Sequence, residues 1–157
     1  MPRILFVCTG NLCRSPMAAA LLRARLSRDE ARRDWQVESA GTWGVEGRPA
    51  SAYAIEEMAR RGLDLSAHRA HPVTPELVAG ADLVLVMEKA HAEALRAAFP
   101  DHAGKVHLLS EMVGRRYDID DPYGGTREEY AAIAKELEGL IEAGYERIVA
   151  LAEETGR

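Results

Sequence analysis

Cysteine and aromatic residues are scarce in this 157-residue sequence, which has two cysteines and 6% Phe, Trp and Tyr. Both cysteines, Cys8 and Cys13, lie in one short segment, so we expect no disulfide framework and favour a reducing, cytoplasmic setting. Two cysteines five residues apart make a poor zinc site, because the usual close pair of ligands is about two to four residues apart and no second cysteine pair exists. We therefore expect no metal site and no disulfide core.

Long apolar runs are also absent. No segment approaches the ~20 apolar residues that span a bilayer. Met1–Arg3 leads into a strand-like segment without the small-residue cleavage site of a signal peptide. The sequence also has no excess of positive charge, since its net charge is −5. This charge argues against a general nucleic-acid binder. The sequence thus predicts a cytoplasmic protein with no membrane or nucleic-acid partner.

The sequence does have the composition of an ordinary globular domain, with 47% hydrophobic and 29% charged residues. A chain of this length is expected to form one domain over residues 1–157. Strand-like and helix-like segments alternate along it. Strands are predicted at 3–8, 35–40, 83–87 and 106–109, and helices from Ser15, at 51–61, at 89–98 and after Thr126.

The alternation predicts an α/β fold, a doubly wound sheet of about four parallel strands with helices on both faces. Ligands bind such sheets at the carboxyl ends of the strands, and the first strand ends at Cys8. Ser15-Pro16 is typical of a helix start, with Ser as N-cap and Pro in the first helical position. In the last helix, Gly139 and Gly144 are expected to weaken the structure locally.

The segment Cys8-Thr9-Gly10-Asn11-Leu12-Cys13-Arg14-Ser15 places a thiol and a guanidinium at the first strand-to-helix junction. Loop N–H groups and a helix N-terminus form a nest for phosphate, and the planar fork of Arg14 matches two phosphate oxygens. The same groups stabilise a thiolate, the nucleophilic form of Cys8. Ser15 is able to donate a hydrogen bond to that sulfur. The Cys8–Ser15 loop is therefore predicted to hold phosphate beside a nucleophile.

Within this loop, Gly10 lets the backbone pass close to a ligand, and Asn11 tolerates a left-handed conformation. The loop is not a Walker A motif, because Gly-Lys-Ser/Thr is missing, and it lacks the Gly-x-Gly-x-x-Gly of a dinucleotide site. A lone cysteine at a strand end is usually an inert buried residue. The preceding strand and the following Ser-Pro helix start favour the phosphate interpretation.

Residues Val7 to Pro16 match every fixed position of Val-Cys-x-Gly-Asn-x-Cys-Arg-Ser-Pro, the N-terminal signature of the low-molecular-weight protein tyrosine phosphatases. The chain resembles this family along its whole length. The resemblance implies a metal-independent hydrolase without a cofactor, with Cys8 as nucleophile and Arg14 stabilising the transition state. It places phosphate and substrate contacts at Thr9, Gly10, Asn11, Leu12, Cys13 and Ser15.

Expulsion of the leaving group needs a proton, and a positioned carboxylic acid typically contributes ~10²–10⁴-fold. The candidates Asp118, Asp120 and Asp121 precede the last helix. A solvated acidic loop is the ordinary interpretation, and the register of an EF-hand cation site is missing. The family carries its acid in Asp-Pro-Tyr/Phe, which Asp121-Pro122-Tyr123 resembles. The resemblance makes Asp121 the acid and then the base, with Asp120 as a neighbour.

The family resemblance also implies supporting residues. Ser39 is expected to hydrogen-bond Asn11, His68 to belong to the same network, and Tyr123 to form an aromatic wall for the substrate ring. Trp43 lies in a Gly-rich loop that lines the substrate cleft in the family. An exposed Trp there favours a flat aromatic ligand, whereas a core Trp is about equally common.

Leu12 carries the specificity prediction. Relatives that hydrolyse phosphoarginine have Thr at this position, and an apolar Leu12 fits a phenyl ring better, so the expected partner is a phosphotyrosine-bearing protein. A protein arginine phosphatase is the alternative.

Arsenate reductases of this fold use further cysteines after the loop, and none follows Cys13, which argues against that activity. In the family, Cys13 forms a reversible disulfide with Cys8; the alternative is that it fills space in the loop.

Three further classes stay open. The alternatives to a metal-independent phosphatase are a phosphopeptide-binding module without catalysis, a redox-sensing module built on Cys8 and Cys13, which is compatible with catalysis, and a metal-dependent phosphatase. The intact set of Cys8, Arg14 and Asp121 favours catalysis, with phosphate or a similar oxyanion in the loop. We expect a monomer or a weak dimer.

Overall fold

Four parallel strands form the centre of the protein, in the spatial order β2-β1-β3-β4. The computed structural model describes residues 1–43 and 45–155. The strands are β1 (Arg3–Cys8), β2 (Gln36–Gly41), β3 (Leu83–Val86) and β4 (Val106–Leu108). The helices are α1 (Arg14–Ser27), α2 (Ala52–Ala59), α3 (Pro75–Gly80), α4 (Lys89–Ala98) and α5 (Arg127–Thr155), and 3-10 segments lie at Glu30–Arg32, Pro100–Lys105 and Leu109–Val113.

Helices cover both faces of the sheet, which confirms the predicted doubly wound α/β fold. Alternate residues of β1 point to opposite faces, because side chains alternate along a strand. Ile4 and Phe6 pack in a cluster with residues of α1, α2 and α5, whereas Leu5 and Val7 pack in a second cluster with residues of α3 and α4. Both faces of β1 are therefore buried, which explains its continuous apolar run.

The start of α1 differs from the prediction. The helix begins at Arg14 with Cys13 as its N-cap residue, and no side chain caps it. The prediction that Ser15 is the N-cap is therefore wrong. The Ser15 hydroxyl lies 2.9 Å from the Cys8 sulfur, so this side chain serves the loop and not the helix end.

Other element ends differ by a few residues. Helix α2 ends at Ala59, and Gly62 has a left-handed backbone just beyond it. The short helix α3 was not predicted. It has both usual start signals, because the Thr74 hydroxyl accepts a hydrogen bond from the Leu77 N–H and Pro75 follows Thr74.

One glycine of α5 has a packing role that the sequence did not reveal. A Cβ atom on Gly144 would lie 2.7 Å from the Met112 Cβ, whereas one on Gly139 would meet open space. Gly144 thus lets the 3-10 segment Leu109–Val113 pack closely against α5. That segment leads into the loop that carries Asp121.

Candidate active site

The Cys8–Ser15 loop connects the central strand β1 to α1 at the carboxyl edge of the sheet. The loop turns at Asn11, which has φ = 58° and is the one non-glycine residue with positive φ among the described residues. Gly41, at the end of β2, crosses beneath the loop. A Cβ atom on Gly41 would lie 2.6 Å from the Thr9 carbonyl oxygen. Glycine is therefore required at this crossing, and the neighbouring strand supports the loop directly.

Asn11 is buried and holds the loop in place through four hydrogen bonds. Its Oδ1 accepts from the His71 backbone N–H at 3.1 Å, which fixes the orientation of the amide. Its Nδ2 then donates to the Ser39 and Ser15 hydroxyl oxygens, each at 2.9 Å. The His68 Nε2 donates to the Asn11 carbonyl oxygen at 2.8 Å. The Ser39–Asn11 contact and the place of His68, both expected from the resemblance, are present.

The tautomer of His68 follows from its partner. A carbonyl oxygen only accepts, so the Nε2 must carry a proton. Burial lowers the pKa of His68, which favours a neutral ring. His68 therefore supports the loop as a neutral donor, and His71 contributes through its backbone.

The Ser15 hydroxyl is oriented toward the Cys8 sulfur. Because the Ser15 oxygen accepts from Asn11, its own proton is available for the sulfur at 2.9 Å. The Ala40 carbonyl, at 3.5 Å, is a much weaker alternative acceptor. A hydroxyl that donates to sulfur stabilises a thiolate more than a thiol.

Arg14 is buried, with 1% of its surface exposed, and its guanidinium has fixed partners. Its Nη1 donates to the Ile119 carbonyl oxygen at 2.6 Å and lies 2.7 Å from the Glu88 carboxylate. Its Nη2 lies 3.5 Å from the Asp121 carboxylate. The Nε–H is buried and has no hydrogen-bond partner among the described residues. An unsatisfied buried donor is costly, so this N–H is available for an anionic ligand.

Of the three candidate aspartates, Asp121 is the one that reaches the loop, through Arg14. Its side chain is 44% exposed, and one oxygen accepts from the Tyr123 backbone N–H at 3.0 Å while the other faces Arg14. Asp118 has another role, since its carboxylate accepts from the Lys89 N–H at 2.8 Å at the start of α4. Asp120 is exposed. The structure thus brings together Cys8, Arg14 and Asp121.

These residues share a cleft with a volume of about 220 Å³. Trp43 and Tyr123 stand at its rim, 72% and 55% exposed, so Trp43 is not a core residue. A Cβ atom on Gly10 would make only ordinary contacts with Leu12 and Val45. Packing within the protein therefore does not by itself require glycine at position 10. The lining residues are Cys8, Thr9, Gly10, Leu12, Cys13, Arg14, Trp43, Val45, Arg48, Asp121 and Tyr123.

Cys13 has an environment different from that of a nucleophile. Its sulfur lies 3.1 Å from the Ser51 hydroxyl oxygen and 3.2 Å from the Tyr130 hydroxyl oxygen. Burial raises the pKa of the Cys13 thiol, so it stays protonated near neutral pH. Both cysteines are free thiols. Their reversible oxidation stays a prediction.

Sequence reasoning missed three residues of the site: Glu88, His91 and Arg48. Glu88 follows the strand β3 and pairs with Arg14, and the His91 Nε2 lies 2.9 Å from the Thr9 hydroxyl oxygen. Their position just after a strand was a usable signal, because the carboxyl ends of neighbouring parallel strands meet at one edge. Arg48 had no such signal.

Two features are absent from the described ranges. Residues 1–43 and 45–155 contain no cluster of three or more His, Cys, Asp or Glu side chains placed to hold a metal ion. No helix within the same ranges combines the length and apolar character needed to cross a membrane.

Comparison with known proteins gives a consistent result over nearly the whole chain. The family model "Low molecular weight phosphotyrosine protein phosphatase" matches residues 3–153. A probable low molecular weight protein-tyrosine-phosphatase, EpsP of Ralstonia nicotianae, is 42% identical over 151 residues, covering 94% of this chain and 97% of the relative. A protein-arginine-phosphatase of Geobacillus stearothermophilus is 40% identical, covering 93% of this chain and 95% of the relative.

The fold comparison agrees. The crystal structure of a low molecular weight protein tyrosine phosphatase from T. tengcongensis superposes with a TM-score of 0.87. It is 43% identical in sequence, and the match covers 94% of this chain and 99% of that one. Tyrosine and arginine phosphatases are therefore both among the similar proteins.

Proposed function

The chain belongs to the low molecular weight phosphotyrosine protein phosphatase family, and from that membership we propose that Cys8, Arg14 and Asp121 carry out its reaction, with phosphotyrosine as preferred substrate. The protein is accordingly a cysteine-based phosphoric monoester hydrolase. The observation that carries the assignment is the buried Arg14 guanidinium of the cleft, which is held by Glu88 and Ile119 and whose Nε–H has no hydrogen-bond partner within the described part of the chain.

In the first step, the Cys8 thiolate attacks phosphorus and the bond to the leaving oxygen breaks. The loop N–H groups and Arg14 stabilise the charge on the equatorial oxygens. Asp121, in its protonated form, donates a proton to the departing oxygen. The products are a phosphocysteine on Cys8, the free hydroxyl compound and an Asp121 carboxylate.

In the second step, the Asp121 carboxylate takes a proton from a water molecule, which attacks the phosphocysteine. The phosphorus–sulfur bond breaks, and the Cys8 thiolate and inorganic phosphate are released. The Ser15 hydroxyl, already oriented by Asn11, stabilises the departing thiolate. Asp121 returns to its protonated form, so the cycle consumes only water.

The apolar character of the cleft supports phosphotyrosine over phosphoarginine. Leu12 and Val45 offer apolar surface near Gly10, and Trp43 and Tyr123 are able to contact the face of a phenyl ring. The family resemblance places Thr, and not Leu, at the position of Leu12 in enzymes that act on phosphoarginine. A guanidinium next to Leu12 would lose hydrogen bonds to water without replacement.

The proposal is tested by comparing a phosphotyrosine peptide with a phosphoarginine peptide of the same sequence, in the presence of a chelator. We expect kcat/KM to favour phosphotyrosine by at least ~10-fold. Leu12→Thr should move that ratio toward phosphoarginine by about 10-fold, because it adds a polar partner. A preference of the unmodified protein for phosphoarginine would contradict the substrate assignment while leaving the chemistry at Cys8 intact.

We propose a single domain over residues 1–157 that acts in the cytoplasm as a monomer or weak dimer on phosphotyrosine-bearing proteins. The family match over residues 3–153 supports the single domain. The free thiols of Cys8 and Cys13 support a reducing compartment.

A further inference from the structure

His91 of α4 is a buried polar residue that takes no direct part in the reaction. It is 5% exposed, and its Nδ1 accepts from the Glu88 backbone N–H at 3.1 Å. Because a backbone N–H only donates, Nδ1 carries no proton and the neutral ring must carry it on Nε2. That Nε2–H therefore donates to the Thr9 hydroxyl oxygen at 2.9 Å.

Thr9 is thereby held from two sides. Its side chain is bound by His91 of α4, while its carbonyl oxygen accepts from the Trp43 backbone N–H at 2.9 Å, beyond the end of β2. Thr9 lines the cleft directly after Cys8. The hydrogen bond from His91 thus fixes the residue that follows Cys8 in the Cys8–Ser15 loop.

We propose that His91 is a positioning residue, which fixes the phosphate-binding loop through its hydrogen bond to Thr9 and thereby strengthens the binding of phosphate groups. This role of His91 depends on the proposed phosphatase function in one respect only, which is that phosphate binds in the Cys8–Ser15 loop. His91 contributes to binding, and the nucleophile, acid and guanidinium carry the chemistry.

The charges around His91 are compatible with a neutral ring. Glu88 is the nearest charged group, with one carboxylate oxygen 3.9 Å from the His91 Nε2, and the same oxygen pairs with Arg14. Asp118 and Asp121 also face the ring. Burial lowers the pKa of His91 against the attraction of these carboxylates. The neutral ring, and with it the Nδ1 acceptor, is thus present above that pKa and lost as the pH falls through it.

The test measures inorganic phosphate binding by calorimetry, so it needs neither turnover nor a known substrate. Thr9→Val removes the acceptor with little change in shape, and His91→Ala removes the donor. Each should weaken phosphate binding by about 3–10-fold, the range for one lost hydrogen bond. The double variant should bind phosphate about as tightly as the single variant with the lower affinity, because both substitutions remove the same contact.

Three further measurements separate positioning from general damage. Thr9→Ser keeps the hydroxyl and should recover most of the affinity lost in Thr9→Val. For p-nitrophenyl phosphate, KM should rise with the phosphate dissociation constant while kcat changes by less than about 2-fold. His107→Ala is the matched control, because His107 is a half-buried histidine of β4 that does not line the cleft.

The comparison of the two single variants with the double variant, a double-mutant cycle, decides whether His91 acts through Thr9. If Thr9→Val binds phosphate as tightly as the unmodified protein, or if the two losses multiply in the double variant, His91 does not act through Thr9. Absence of phosphotyrosine hydrolysis together with an intact cycle would instead count against the proposed function and leave the inference standing.

Discussion

The floor and the rim of the cleft are built in different ways. In the floor, made by the Cys8–Ser15 loop, Cys8 and residues 11–15 are buried, and Asn11 and Arg14 each have several fixed hydrogen-bond or ion-pair partners. At the rim, Trp43 and Tyr123 are mostly exposed. A preorganised floor stabilises developing charge without reorganisation, whereas an exposed rim adds contact area to whatever ligand arrives. Substitutions of the reacting groups at the floor should therefore lower rates, whereas substitutions at the rim should mainly weaken binding.

The largest effect is expected at the floor, from Cys8→Ser. Turnover of p-nitrophenyl phosphate should fall by at least ~10³-fold, because a serine hydroxyl without a general base is a poor nucleophile. Phosphate binding, measured by calorimetry, should persist because Arg14 and the loop N–H groups are unchanged. Full activity in this variant would show that Cys8 is not the nucleophile. It would also mean that the floor does not differ from the rim by carrying out the chemistry.

Asp121 stands between the two regions, since it faces Arg14 but is 44% exposed. Asp121→Asn should lower kcat for phenyl phosphate by about 10²-fold, because the poor leaving group needs a proton. The loss should be smaller for p-nitrophenyl phosphate, whose leaving group departs without help. Asp120→Asn is the control, because it removes the same negative charge from the acidic loop at a neighbouring position. Equal losses in both variants would mean that the charge of the acidic loop matters and the position of Asp121 does not.

The smallest effect is expected at the rim, from Trp43→Ala. KM for an aryl phosphate should rise by about 3–10-fold, the range for one aromatic contact, with kcat nearly unchanged. Inhibition by inorganic phosphate should stay the same, because phosphate reaches only the floor. A parallel loss of phosphate inhibition would show that Trp43 supports the anion site, and the boundary between floor and rim would have to move.

The sequence was informative where the structure depends on neighbours along the chain. Residues Val7 to Pro16 are contiguous, so their spacing alone predicted a phosphate loop between a strand and a helix. The partners of the loop were harder to predict. The position of Glu88 and His91 just after a strand makes them candidates, but they reach the loop because β3 lies beside β1 in the sheet, and the order of strands along the chain does not give that adjacency by itself.

Ser15 and Gly41 also show that local sequence patterns do not reveal tertiary contacts. Ser15 has the sequence pattern of an N-cap, yet contacts with Cys8 and Asn11 determine its position. Gly41 resembles an ordinary strand end, yet its missing side chain is what admits the Thr9 carbonyl. In both cases a tertiary contact overrides a local preference.

The hydrogen bonds that hold the loop also connect it to distant parts of the chain. The Thr9–His91 contact spans 82 positions, the Arg14–Ile119 contact 105 and the Cys13–Tyr130 contact 117. Contacts of such long range form only after the entropic cost of closing long segments has been met. We therefore expect a partly folded chain to lack an assembled phosphate site and the reactive surroundings of Cys8. Phosphatase activity should accordingly report complete folding, from the first strand to the last helix.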